Sequence, residues 1–282
     1  MDFSEKLEKG YKIAFWKDDP WSLEGRKRYE IALKKFRGLI EHPWLKELLK
    51  LDNIGLLDIG AGKGIGGVAL AKTLIQQNCK VKLVMIDLRK SAVEDSLKFA
   101  NEEKVEAEAF QMNAIEAHKL GKFNIVLMYG AILAHFDWWS LARLFASATM
   151  CLKEKGVIII EEFDRVHAIF TAGFKNLIIE NPRPDKLSIS VHAGYDVIKG
   201  SYLRNFIRVK DWEVVTLPVN FRNISSIAAM LWLFVEDVDV ASVDEENVYF
   251  VLGRESRNLL KPNILANSPK ILKRNSPWNI SS

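Results

Sequence analysis

From residue 54 onward short apolar runs alternate with amphipathic stretches, and this alternation constrains the fold more than any other feature of the sequence. Ile54 to Ile59 reads as a strand, followed by a glycine-rich turn and a helix from about Ile65 to Gln77. Val81 to Ile86 is a second strand ending at Asp87, and Ser91 can cap a helix running to about Glu103. Val105 to Phe110, Asn124 to Tyr129 and Gly156 to Glu161 follow as strands, with a helix from Asp137 to near Leu152 before the last of them. Strands this apolar are buried on both faces, and regular β-α alternation covers a parallel sheet with helices on both sides.

The flanking segments read differently. Residues 1–53 form an N-terminal helical extension, in which Tyr29, Leu33, Phe36 and Ile40 make one apolar stripe. Residues 54–253 are the α/β domain, interrupted at 163–211 by an aromatic-rich insertion containing the breaker Asn181-Pro182-Arg183-Pro184. The insertion is expected to be helical and to lie over one edge of the sheet. Trp212 to Val219 resumes as a sixth strand, Ser225 to Val235 is a helix, and Val248 to Leu252 is a seventh strand. Residues 254–282 read as a basic, flexible tail.

Charge follows the same division. The net charge of +4 is the sum of +3 in residues 1–50, −4 in 51–253 and +5 in 254–282. A basic nucleic-acid-binding core is not indicated, although the ends can still touch anions. The longest apolar run, Ile227 to Val235, is too short to span a bilayer, and the charged N-terminus has no signal-peptide core. Cys79 and Cys151 form no CxxC pair, which fits a reduced cytoplasmic protein with no cysteine metal site.

The chemistry is concentrated in Asp58-Ile59-Gly60-Ala61-Gly62-Lys63-Gly64. Glycines after a strand let the backbone turn sharply and approach a ligand, and the following helix offers unpaired N–H groups. Gly62-Lys63-Gly64-Ile65-Gly66-Gly67 matches the dinucleotide string GxGxxG. It begins too late, however: counted from Gly60 at the strand end, the third glycine position is Ile65. Asp58 at the strand tip also disfavours a pyrophosphate. A carboxylate there attracts a ligand bearing an ammonium or sulfonium and no phosphate, and S-adenosylmethionine is such a ligand.

On Asp58, Gly60, Gly62, Gly64 and Asp87, the sequence resembles the class I S-adenosylmethionine-dependent methyltransferases over about residues 54–163, more loosely to 253. The resemblance implies a Rossmann-like seven-stranded sheet with an antiparallel last strand. It implies that Asp87, 23 residues after Gly64, accepts hydrogen bonds from the ribose hydroxyls and that Leu88 lies against the adenine. Met112 and Asn113 fall where the family contacts the adenine amino group, with Asn113 in place of the usual acid. Tyr129 and Gly130 fall nearest the methionine part, beside Ala61. His135 sits where small-molecule enzymes of the family often carry a histidine. His135 and Tyr129 are thus the candidate catalytic residues, while packing of His135 beside Phe136 and Trp138 is the plainer alternative.

Other candidates are weaker. His167 and His192 lie in the insertion as possible bases, and Tyr11, Phe15, Trp16 and Trp21 could form a lid. The chain lacks the Asn/Asp-Pro-Pro-aromatic turn of base amino-methylation after the fourth strand, where it has Tyr129-Gly130-Ala131-Ile132. Cys151 precedes the fifth strand and does not suit cytosine C5 methylation. No metal cluster is visible, only scattered acids such as Asp137 and Glu162. The expected activity is methyl transfer to O, N or C of a small molecule. The alternatives are RNA methylation using the basic ends with Lys270, Lys273 and Arg274, a nicotinamide-dependent oxidoreductase, and a non-catalytic S-adenosylmethionine binder.

Overall fold

The computed structural model describes residues 2–243, 245–274 and 277. Three helices open the chain: α1 (Phe3–Ala14), α2 (Leu23–Leu39) and α3 (Pro43–Leu48). Asp2 closes a capping box on α1 with Glu5, and Ser22 caps α2 through Gly25 N. The alternating part follows as β1 (Asn53–Ile59), α4 (Ile65–Gln76), β2 (Lys80–Asp87), α5 (Lys90–Glu102), β3 (Ala107–Gln111), β4 (Phe123–Met128), α6 (Trp138–Met150) and β5 (Leu152–Phe163). Next come α7 (Arg165–Ala172), β6 (Leu177–Asn181), β7 (Ser188–Asp196), β8 (Ser201–Arg208) and β9 (Glu213–Val219). The chain returns with α8 (Ile224–Trp232), β10 (Val235–Ser242), β11 (Val248–Ser256) and the short α9 (Pro262–Leu265).

The main sheet has seven strands in the order β10-β11-β5-β4-β1-β2-β3. β11 runs antiparallel to both neighbours, and the pairs from β5 to β3 are parallel. Strand alternation splits the core in two. Leu56, Met85, Leu127 and Ile159 face α2, α4 and α5, whereas Leu57, Ile86, Val126 and Ile158 face α6 and α8. β4 is buried along its whole length, as an apolar central strand must be.

The insertion departs from expectation. Its only α-helix among the described residues is α7, and β6 to β9 make a separate antiparallel sheet in the order β6-β7-β8-β9. The signal for strands is local: Ser188-Ile189-Ser190-Val191-His192 and Glu213-Val214-Val215-Thr216-Leu217 alternate with period two. Aromatic residues are equally at home in strands, so aromatic content did not distinguish the two readings. Consequently the segment near Trp212–Val219 is β9 of the second sheet, and the sixth strand of the main sheet is β10.

Helix α1 bridges the second sheet to the domain. Ile13 and Ala14 pack on Phe206, Val215 and Leu217 in a small separate core. At the other end, the described part of the tail is held to α6, where Arg143 donates to Leu265 O and Ser268 Oγ at 2.8 Å each. The rest of the expected tail, residues 275, 276 and 278–282, lies outside the described residues. Among the described residues, no helix is long and apolar enough to cross a membrane.

Ile13→Ala empties the centre of the small core, a change worth about 2–4 kcal/mol. Hydrogen exchange should accelerate in α1 and β9 and stay unchanged in β1 and β4. Equal acceleration in both would mean that α1 is integral to the main core.

Candidate functional site

At the end of β1 the chain folds back onto β2, with Gly60 N and Ala61 N both donating to Ile86 O at 2.8 and 3.0 Å. Gly60, Gly62 and Gly64 all have positive φ, at +70°, +56° and +89°. At Gly62 this conformation aims the N–H at Asp87, whose Oδ2 accepts it at 2.8 Å. Gly64 instead serves as the N-cap of α4. Gly67 leaves room for a carboxylate, since a Cβ there would lie 2.6 Å from Asp58 Oδ2.

Asp58 is 1% exposed. Its Oδ2 accepts from Gly67 N at 2.8 Å, and its Oδ1 is buried without a partner among the described residues. Burial pushes the carboxyl up to about 7, against the lowering effect of the Gly67 N–H. Asp87 is fully engaged. Besides Gly62 N, it accepts Arg89 N at 2.8 Å and Arg89 Nε at 3.3 Å. Arg89 is itself covered: it donates to Asp18 Oδ2 at 2.9 Å, and its guanidinium sits 3.5 Å from the centre of the Tyr11 ring. The N-terminal segment is thus closed onto the tip of β2.

Two cavities meet at this point. One, of about 590 Å³, is lined by Asp87, Leu88, Met112 and Asn113 and roofed by α1 and the second sheet. The other, of about 390 Å³, is lined by Asp58, Ala61, Gly62, Tyr129 and Gly130. Tyr11, Gly60, Ile132 and His135 line both. The expected cofactor residues and His135 therefore gather along one continuous path, except Gly64, which lines neither cavity. Asn113 Oδ1 also accepts from Ile115 N at 3.2 Å, so part of its acceptor capacity caps the turn after it.

The turn after β4 is held by residues that the sequence did not single out for this role. Glu161 Oε2 accepts from Gly130 N at 2.9 Å, and Lys35 Nζ holds the other oxygen at 2.6 Å. Asn220 donates to Ala134 O through both its backbone and side-chain nitrogens. Arg222, buried, donates to Leu133 O at 2.7 Å and to Phe136 O. These contacts fix the loop carrying His135. Burial lowers the His135 pKa to about 4, helped by the Arg165 and Arg89 charges, so the ring is neutral at pH 7. Burial raises the Tyr129 pKa, so the phenol stays protonated there.

Of the lid candidates, Tyr11 and Trp16 reach the cavities. Trp21 bonds Glu102 outside them, and Phe15 lines neither. His167 is exposed, and His192 packs between Phe174 and Tyr202 away from both cavities. Sequence reasoning missed Arg28, Arg89, Arg165, Arg204 and Glu180. Arg89 follows Asp87 by two residues and was within reach of inspection. The others arrive from the flanking elements. Among the described residues, no three or more His, Cys, Asp or Glu side chains gather where a metal ion could sit.

Residues 44–182 match the model of the methyltransferase small domain. No curated protein matches the sequence. Among solved structures, the PH0226 protein of Pyrococcus horikoshii is similar at a TM-score of 0.57 and 16% identity, covering 88% of this chain and 98% of that one. An S-adenosylmethionine-dependent methyltransferase of Clostridium acetobutylicum is similar at 0.57 and 13% identity, covering 79% and 92%. The sugar N-methyltransferase KedS8 of Streptoalloteichus is similar at 0.54 and 11% identity, covering 80% and 88%. At these identities the likeness is one of fold.

The Asp58 geometry sets a pH dependence. Its native pKa of about 7 lies above the ordinary 3.8. Between those values the folded chain keeps a proton that the unfolded chain has released, so stability is lost as pH rises through this window. Asp58→Asn removes the effect. In urea titrations, the wild type should lose stability relative to the variant between pH 5 and pH 8. A difference that does not change with pH would mean Asp58 is ionised in the folded protein throughout.

Proposed function

We propose that this chain, a class I methyltransferase by its matched domain and its fold, transfers a methyl group from S-adenosylmethionine to a small-molecule acceptor. The observation that carries the reading is the buried, half-satisfied Asp58 beside a glycine turn that is itself hydrogen-bonded to Asp87. Asp58 Oδ1 suits the ammonium of the methionine part, which would also supply the counter-charge that the buried carboxyl lacks. The Arg28 guanidinium lines the same cavity and suits its carboxylate. Asp87 suits the ribose hydroxyls, with Arg89 Nε giving way. Leu88, Met112 and Asn113 bound the adenine side.

S-adenosylmethionine supplies a methyl carbon already activated by its sulfonium, so the protein's part is alignment and exclusion of water. His135 and Tyr129 do this work on the acceptor side. His135, neutral and held by the loop that Asn220 and Arg222 fix, can accept a hydrogen bond from the acceptor. With a pKa near 4 it positions the acceptor better than it removes a proton. Tyr129 stays protonated and acts as a donor and wall.

A small acceptor is supported by the way α1 and the second sheet cover one side of both cavities. Of the N-terminal cations, Lys9, Lys12, Arg26 and Lys35 are each paired with a carboxylate of the same chain, which leaves these four less available to RNA. RNA affinity that falls with salt, and falls again on removal of residues 269–282, would favour RNA over a small molecule.

Calorimetry tests the cofactor directly. S-adenosylmethionine and S-adenosylhomocysteine should bind, and NAD should not; tight NAD binding with no response to either would overturn the reading. Asp87→Ala should weaken binding by about 1–3 kcal/mol through lost charge-assisted hydrogen bonds. Affinity should also rise with pH through about 7 in the wild type, as Asp58 ionises, and be flat in Asp58→Asn.

A further inference from the structure

The second cavity extends past the glycine turn into a compartment walled by the insertion. Arg165 enters it from the first turn of α7, Arg204 from β8 and Glu180 from β6, against Trp16, Phe206 and Phe221. The acceptor side is thus apolar and aromatic, with three charged side chains.

The charges do not balance. Arg165 has Glu162 Oε1 at 3.7 Å from its Nε, too long for a hydrogen bond, and that Nε is buried without a partner among the described residues. Glu162 is shared, because the Arg222 charge acts on it as well. Arg204 is 4% exposed and is held by neutral groups: Ser190 Oγ and O at 3.1 and 2.9 Å, Lys175 O at 2.9 Å and Asn176 O at 3.5 Å. Burial lowers its pKa, and Glu180 only partly restores it. Glu180 in turn accepts from Ser190 Oγ at 2.5 Å. A buried guanidinium without an ionic partner is costly, and a ligand that brings the missing charge recovers that cost.

Resting on the methyltransferase reading above, we propose that the acceptor carries a carboxylate, which pairs with Arg165 while Arg204 supports it from β8. Glu180 and the shared Glu162 already offset part of the charge of the two guanidiniums, so this wall matches a monoanion better than a phosphate dianion. The planar fork of Arg165 matches a carboxylate in two parallel hydrogen bonds. Trp16, Phe206 and Phe221 then receive an apolar or aromatic body.

The test uses the full chain saturated with S-adenosylhomocysteine. Benzoate, phenylacetate and indole-3-acetate are titrated by calorimetry, each against its neutral amide. At least one acid should bind, with its amide at least tenfold weaker. Arg165→Gln should weaken that acid tenfold or more and leave S-adenosylhomocysteine affinity within twofold, and Arg165→Lys should recover part of the loss. The lysine variant also serves if the glutamine variant does not fold. Binding of none of the acids, equal binding of acid and amide, or wild-type acid affinity in Arg165→Gln would each overturn the proposal. Failure of S-adenosylhomocysteine to bind the wild type would instead overturn the cofactor assignment, so the two failures are told apart.

Discussion

The hydrogen bond from Gly62 N to Asp87 is the contact on which the site depends. It ties the turn after β1 to the tip of β2, two central strands that are already in register from Asn53–Lys80 to Ile59–Ile86. With the turn fixed, α4 starts at Ile65 and delivers Gly67 N to Asp58. The other oxygen of Asp87 holds Arg89, which reaches Asp18 and lies under Tyr11. A single carboxylate therefore orders the turn and, through one arginine, the segment that roofs it. The roof is anchored a second time where Ile13 meets Leu217 of the second sheet.

This double anchoring explains why much of the site was legible and the rest was not. The turn, Asp58 and Asp87 sit within one β-α-β unit, where strand ends and glycines have fixed geometric meaning. Tyr129 and Gly130 sit likewise at a strand end, after β4, which pairs with β1. Arg28 and Tyr11 come from the N-terminal helices, and Arg165, Glu180 and Arg204 come from the insertion. Their approach to the turn is a long-range packing result, which periodicity does not encode. In the insertion, period-two alternation is the informative signal, and aromatic content is common to helices and strands. Here Ser188, Ser190 and Ser201, all buried, mark the strands better than Phe170 or Phe174 do.

The same geometry bears on the nicotinamide alternative. A dinucleotide needs backbone N–H groups of the turn and helix start free to meet a pyrophosphate. Here Gly62 N is given to Asp87 and Gly67 N to Asp58. Gly60 N and Ala61 N are given to Ile86 O. Four donors of the loop and first turn are thus spent on the protein, two of them on carboxylates that would repel phosphate. A pyrophosphate here would meet the Asp58 and Asp87 carboxyls, a polarity that favours a cation instead.

Asp58 and the acceptor wall show one physical pattern with opposite signs. Asp58 is a buried acid with one unpartnered oxygen among the described residues, and burial pushes its carboxyl up to about 7. Arg165 and Arg204 are cations near the same cavity that lack a full ionic partner. None of these groups contributes to packing as an apolar residue of the same size would, so each costs stability in the empty protein. These three groups line the second cavity, while the main core is split into two hydrophobic clusters, one on each face of the sheet. Incompletely paired charge placed along one path favours ligands that bring the complementary charge there. The negative end, at the turn, matches a cationic donor, and the positive end, on the insertion wall, matches an anionic acceptor.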